Sequence, residues 1–288
     1  MRISIVTPSF NQAGFLEQTI RSVLDQGYPD LEYIVMDGGS TDGSPEIIRH
    51  HEERLAHWES GRDEGQADAV FRGFQRATGD VLGWVNSDDI LLPGCLQAVA
   101  DHFEARPEEE CAVGGAVFID AAGVPLRRAF GMPRFRIGLA ATFRMLLIAG
   151  CPFCQPASFW RRDAFFEVGG FDTSLRFCFD YDLYLRLAKR RRLTHIPRLL
   201  AGFRRHPGSK SSTLLAVKIS EDAILRTRHG LSRYPSTWRV LLRAWYRIRF
   251  VMSERMGWLR HSLGLVKPAT RSILWPYSGA SARPRGST

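Results

Sequence analysis

Three short apolar runs in the first ninety residues each stop at a polar cluster, and helical patterns lie between them. Ile3-Ser4-Ile5-Val6 ends at Thr7-Pro8, Leu31 to Met36 is closed by Asp37-Gly38-Gly39-Ser40, and Val81 to Val85 ends at Asn86-Ser87-Asp88-Asp89. Between the first two, Phe15, Ile20, Val23 and Leu24 recur on one face of a helix over Gly14 to Gln26. Ser44 to Arg54 predicts a second helix capped by Ser44, a short strand is expected near Trp58, and Gly65 to Thr78 predicts a third helix. Pro93 to Ala105 then reads as helix and Ala112 to Ile119 as strand. Strands alternating with helices imply βαβ units and a mostly parallel central sheet. In such sheets ligands gather at the carboxyl ends of the strands, where all three polar clusters fall.

The middle of the chain, about 121–200, is less regular. It carries Gly169-Gly170-Phe171-Asp172, then Asp180-Tyr181-Asp182, then a helix expected to run through Leu193. Residues 214–275 read as mostly helical. The expected organisation is an α/β domain over 1–212, a basic helical extension over 213–276, and a disordered tail over 277–288 with little to bury. The net charge of +9 divides along the same line. Residues 1–212 hold 25 Lys+Arg against 27 Asp+Glu, whereas 213–288 hold 14 against 3. A nucleic-acid partner is therefore not expected: the body is near neutral, and only the last quarter is basic.

Five cysteines at irregular spacing do not make a disulfide framework, and Cys151-Pro152-Phe153-Cys154 is expected to be a reduced structural pair. No signal-peptide pattern opens the chain, and no stretch of about 18 apolar residues predicts a membrane span. A cytoplasmic location is expected. Trp238, Leu241, Leu242, Trp245, Ile248 and Met252 share one helical face, and Arg239, Arg243 and Arg247 another. Such a helix, over 238–260, could lie on an anionic membrane surface at the inner face, or pack its apolar side on the body with the arginines in water.

The rim acids carry the chemistry. Asp88-Asp89, at the end of a buried strand, repel each other unless a divalent cation such as Mg²⁺ or Mn²⁺ lies between them and substrate phosphates, or unless they merely cap the next helix. Asp37 at a strand end can accept from a base N–H or a ribose hydroxyl, or simply close a turn. Asp63, Gln66 and Asp68 open a helix; a helix start favours the Asp68 carboxylate in any case, but Asp63 and Gln66 are harder to explain that way. Either acid of Asp180-Tyr181-Asp182 can cap a helix or act as a general base. His206, in Arg204-Arg205-His206-Pro207-Gly208-Ser209-Lys210, can meet a diphosphate or a cation, or be an ordinary surface histidine.

Taken in order, these segments resemble the inverting family-two glycosyltransferases. The resemblance runs from Ser4-Ile5-Val6-Thr7-Pro8-Ser9-Phe10-Asn11 through Asp37-Gly38-Gly39-Ser40-Thr41-Asp42, Glu64-Gly65-Gln66-Ala67-Asp68-Ala69 and Trp84-Val85-Asn86-Ser87-Asp88-Asp89. It continues through Gln155-Pro156-Ala157, Gly169 to Asp172, Asp180 to Leu183 and His206 to Lys210, so it covers about residues 3–212. It implies a GT-A fold, a Rossmann-like nucleotide-binding domain. It places Thr7, Pro8 and Asn11 at the nucleotide, Asp37 at the nucleoside and Asp63 near base and ribose, and Gln66 and Asp68 are expected at the nucleotide sugar with them. It puts Asp88, Asp89 and His206 at the metal and diphosphate, and Asp180 at the catalytic base. Two positions depart from the family pattern. Asn86 replaces the first acid of the usual D-x-D, and Phe179 replaces the acid before the base, which leaves Asp180 and Asp182 both open as bases.

The implied activity is hexosyl transfer from a nucleotide-sugar donor to a hydroxyl on a glycan or lipid-linked acceptor, in bacterial cell-surface glycan synthesis, with inversion and metal assistance. A sugar-phosphate nucleotidyltransferase would want a Gly-rich phosphate loop after the first strand, and Thr7-Pro8-Ser9-Phe10-Asn11 is not one. A non-catalytic nucleotide-sugar-binding protein would not need the intact set of acids.

Overall fold

The three apolar runs form the middle of one sheet in the computed structural model, which describes residues 1–130, 139–190 and 193–245. The strands are β1 (Ile3–Ser9), β2 (Leu31–Asp37), β3 (His57–Ser60), β4 (Val81–Trp84), β5 (Ile90–Leu91), β6 (Cys111–Ile119), β7 (Pro125–Phe130), β8 (Ser158–Arg161) and β9 (Leu193–Arg204). Their order across the sheet is β3-β2-β1-β4-β8-β6-β9-β5, with β7 on β6. The helices are α1 (Ala13–Leu24), α2 (Ser44–His50), α3 (Gln66–Arg76), α4 (Cys95–Glu104), α5 (Leu139–Ala149), α6 (Arg162–Glu167), α7 (Phe179–Arg190), α8 (Lys210–Thr213) and α9 (Leu215–Arg228). Residues 236–245 are also helical.

Side chains of the central strands alternate between two cores. Ile3, Ile5, Tyr33, Val35 and Val81 face α1 and α4, whereas Val6, Ile34, Met36, Leu82 and Trp84 face α3 and α7. A strand buried on both faces reads as a continuous apolar run, which is why these three were conspicuous in sequence. Gly73 lets α3 close onto the sheet, since a Cβ there would sit 2.6 Å from Val6 Cγ1.

The parallel character belongs to the first half. β1, β2, β3 and β4 pair in parallel, as do β6 and β9, while β4–β8, β6–β8, β6–β7 and β5–β9 are antiparallel. Some local expectations shift. α7 stops at Arg190, not Leu193, because Leu193 already pairs with Cys111 as the start of β9. Ser44 is not the cap of α2: Gly43 holds that position, and Asp42 Oδ1 accepts from the Ser44 amide and hydroxyl at 3.2 and 2.7 Å. The tail 277–288 and the 246–276 part of the extension lie outside the described residues.

α9 is tied to the body by buried charge. Arg226 pairs with Asp222 one turn earlier and donates through Nη1 to the carbonyls of Leu147 and Ile148 at 3.0 and 2.8 Å. In the helix at 236–245, Trp238, Val240, Leu241 and Trp245 are exposed, Leu242 is half-buried, and Arg243 Nε donates to the Ile148 carbonyl at 2.8 Å.

Candidate active site

The strand register aligns the rim. Ser9 pairs with Asp37 and Asp37 with Ser60, so three strand ends stop level. Asp37 is 2% exposed and spends its oxygens on its own loop, accepting from the Gly39 and Ser40 amides and from the Ser40 and Ser60 hydroxyls. Thr7 is buried against Tyr33, with Oγ1 and the phenol oxygen 2.9 Å apart. Asn11, at φ 52°, clips the first two rim loops together: its Oδ1 accepts from the Thr41 amide at 3.0 Å and its amide donates to Ser40 Oγ at 2.8 Å. These three residues, expected at the ligand, adjoin the residues that line the cleft and are not themselves among them. The rim loops present Pro8, Ser9, Phe10 and Gly38 to the cleft.

The cleft itself has a volume of about 930 Å³ and is lined by the rim loops, by 151–155, by 173–180 and by 203–218. Asp63 lines it, accepting from the Gly65 amide at 2.8 Å. Glycine at 38 makes that placement feasible, because a Cβ there would lie 2.8 Å from Asp63 Oδ2. Asp68, by contrast, is drawn back onto its own helix start, 3.3 Å from the Glu64 amide and 3.7 Å from Arg72, and takes no part in the lining.

Asn86 organises the loop after β4. Its Nδ2 donates to Asp89 Oδ2 at 3.0 Å and Gln155 Oε1 at 3.1 Å, and its Oδ1 accepts from Gln66 Nε2 at 2.6 Å and Trp84 Nε1 at 3.1 Å. A carboxylate could not make the first two bonds, which gives the departure from D-x-D a physical reason. The amides run head to tail: Lys210 Nζ donates to Gln66 Oε1 at 2.6 Å, and Gln155 Nε2 donates to the Trp84 carbonyl at 2.8 Å. Gln66 thus lines the cleft with both ends engaged.

Asp88 and Asp89 diverge. Asp88 Oδ2 lies 3.0 Å from His206 Nε2, on the cleft. Asp89 is 1% exposed; its Oδ1 accepts from the Arg204 amide at 2.8 Å, and its carboxyl is pushed well above the usual range by burial and by Asp88. Its Oδ2 accepts from Asn86, so each oxygen already holds one hydrogen bond, although the residue lies on the cleft lining beside Asp88. Among the described residues no group of three or more His, Cys, Asp or Glu side chains converges as a metal site.

The two acids of α7 also separate. Asp182 is 2% exposed, bound through Oδ2 to Arg186 at 2.7 Å and through Oδ1 to His229 at 2.9 Å. Burial opposes its charge, but His229 and Arg186 outweigh it and hold the carboxyl below the ordinary range. Asp180 is half-buried, lines the cleft, and accepts only from the Tyr181 amide, at 2.7 Å. Burial pushes it up to about 6 despite Lys210 and Lys218 nearby. Phe179 fixes this helix start, stacked on Trp84 with ring centroids 5.6 Å apart and with Lys210 Nζ 5.4 Å above it.

Three site residues escaped sequence reasoning. Arg204, 1% exposed, donates to the carbonyls of Asp88, Asp120 and Ala121 and to Gln18 Oε1, and so pins the β4 loop to β9. Gln155 and Lys210 complete the amide chain, and burial lowers Lys210 to about 8. Their only sequence signal was membership of the resembling motifs.

The profile of glycosyl transferase family 2 matches residues 4–169. A Bacillus subtilis protein whose name assigns it to teichuronic acid biosynthesis as a glycosyltransferase is 37% identical over 136 residues, which is 46% of this chain and 53% of that one. The structure of Staphylococcus aureus TarS residues 1–349 in complex with UDP-GlcNAc superposes with a TM-score of 0.64 at 16% identity, over 93% of this chain and 77% of that one. The mannosyltransferase PcManGT from Pyrobaculum calidifontis, in complex with GDP-Man and Mn²⁺, gives 0.57 at 18% identity, over 96% and 84%. With the family profile spanning more than half its length, the chain belongs to glycosyltransferase family 2.

Proposed function

We propose that this glycosyltransferase moves a hexosyl group from a nucleoside-diphosphate sugar to a hydroxyl of a bacterial cell-surface glycan or its lipid-linked precursor, by a single inverting displacement. One observation carries the reading: a single cleft is lined both by the Asp88 loop and by Asp180, an acid pushed up to about 6. A general base works best with a pKa near the operating pH. Asp180 takes the proton of the acceptor hydroxyl while that oxygen bonds to the anomeric carbon, and the diphosphate leaves from the opposite face with its bonding electron pair.

Asp88 and His206 fit a divalent cation: a carboxylate on the cleft lining and an imidazole 3.0 Å from it match a site that substrate phosphates complete. Mg²⁺ or Mn²⁺ there would offset the charge developing on the leaving diphosphate. Asp63 and the Pro8–Phe10 edge are assigned to the nucleoside, with Gln66 on the cleft wall and Thr7, Asn11, Asp37 and Asp68 as supports beside it. A panel of UDP-, GDP- and dTDP-sugars in thermal-shift assays, with and without Mn²⁺, tests this. Stabilisation by one donor, only with metal, is expected; no response to any donor, or donor hydrolysis surviving in Asp180→Asn, would overturn it.

Among the described residues no helix is long and apolar enough to cross a membrane. The exposed Trp238, Leu241 and Trp245 in the basic C-terminal quarter support contact with an anionic membrane surface through 238–260, of which 246–260 lies outside the described residues. Flotation with anionic vesicles tests it: equal flotation of a Trp238→Ser/Leu241→Ser variant would overturn it.

A further inference from the structure

The basic last quarter of the sequence holds only three acids, and one of them reaches the start of α7. Glu221 of α9 is buried at 9% exposure, and its carboxylate accepts from three successive amides: Arg176 at 2.7 Å, Phe177 at 2.9 Å and Cys178 at 2.8 Å. These amides immediately precede α7, where a helix start leaves N–H groups unpaired and favours a negative charge. Asp180 follows two residues later. Glu221 itself is outside the cleft lining, while two of the amides it binds, those of Arg176 and Phe177, belong to residues on that lining. α9 is held independently by the Arg226 bonds to the α5 carbonyls, so Glu221 projects from an anchored element.

Resting on the reading of Asp180 as the base, we infer that Glu221 is a positioning residue that fixes the Arg176–Cys178 turn and thereby aims the Asp180 carboxylate into the cleft. The segment beyond residue 212 is then part of the catalytic apparatus. Glutamine at 221 would present an NH₂ group to amide donors and remove the charge that all three bonds use. The turn then relaxes, and Asp180 gains water.

A change in the acidic limb of the rate profile reports that relaxation. The groups facing Asp180 are Lys210 and Lys218 from the helices after β9, Cys151 and Cys154 from the loop after α5, Cys178 from its own turn, and Tyr184. The thiols and the phenol are all pushed up, by burial first, and Lys210 lies near 8, so among these groups Asp180 is the one that titrates in the acidic limb.

The test is nucleoside diphosphate release from UDP-glucose, UDP-N-acetylglucosamine or GDP-mannose, whichever the thermal panel selects, by the full chain from about pH 5 to pH 8. Glu221→Gln should lose roughly 10- to 100-fold in kcat with nucleotide affinity unchanged, and its acidic limb should move down from about 6. Glu221→Asp, which keeps the charge but retracts it, should fall between. Leu225→Ala, which opens a cavity in the same helix, should keep the wild-type limb and kcat wherever it is folded. Wild-type kcat and limb in Glu221→Gln, or a loss equalled by Leu225→Ala with the limb unmoved, overturns the inference. If Glu221→Gln does not fold, an unchanged limb in Glu221→Asp does so. Unimpaired hydrolysis by Asp180→Asn would instead sink the base assignment on which it rests.

Discussion

Asp180→Asn should make the protein more stable at pH 8 while removing turnover. The Asp180 carboxyl is pushed from 3.8 to about 6 by burial. At about 1.4 kcal/mol per pKa unit, holding it ionised in the folded protein costs about 3 kcal/mol. Asparagine removes the charge but keeps a carbonyl oxygen for the Tyr181 amide, whose preference for the charged form is already contained in the shift. The net gain at pH 8 is therefore about 3 kcal/mol, or about 6 °C in Tm for a chain of this size. The sign follows from proton binding. Between the unfolded and folded pKa values the folded state holds more protons, so stability falls as pH rises through that window. The cost is absent below about pH 4 and fully present above about pH 7. Calorimetric Tm values of wild type and variant should therefore coincide near pH 4 and separate above pH 6, while donor hydrolysis drops roughly 10²- to 10⁴-fold. A Tm difference that is flat with pH, or a variant less stable than wild type at pH 8, would falsify the reasoning.

Two further substitutions probe the neighbouring acids. Asn86→Asp removes the donors to Asp89 and Gln155 and sets a second acid against a buried one, so urea denaturation should show a loss of about 2 to 4 kcal/mol; wild-type stability would mean the carboxamide is not the hub described. Asp182→Asn leaves His229 and Arg186 without their shared carboxylate and should cost about 3 kcal/mol while donor hydrolysis persists in the folded fraction; lost hydrolysis at full stability would reverse the roles of the two α7 acids.

The first ninety residues were legible because their physics is local. A strand buried on both faces must be apolar throughout, and where it leaves the sheet the chain turns polar, so the ends of β1, β2 and β4 showed in the sequence. The order of the motifs suggested one cleft for Asp88, His206 and Asp180; Asp88 and Asp180 lie on one lining, and His206 Nε2 is 3.0 Å from Asp88 Oδ2. What was not legible depends on which way a side chain turns. Asp88 and Asp89 are adjacent and chemically alike and both border the cleft, yet one meets His206 and the other is buried and held by the Arg204 amide from 115 residues away. Asp180 and Asp182 differ likewise, through His229 and Arg186. β9 was hidden because Pro197 and the basic run 189–192 interrupt its apolar pattern, and with it went Arg204, whose burial follows only from the pairing with β6.

The row of side-chain amides through Lys210, Gln66, Asn86, Gln155 and the Trp84 carbonyl has a sense of direction. An ammonium can only give and a carbonyl can only receive, so each amide between them is forced to point the same way. Dipoles aligned like this reinforce one another, and the positive head of the row lies over the cleft while its tail ends on the central sheet. Deprotonating the lysine, which becomes feasible near pH 8, removes the charge at the head of the row and loosens Gln66 first, while Trp84 still orients Asn86 through Nε1 and Gln155 through its carbonyl. The floor of the cleft is in that sense polarised from one end and anchored from the other.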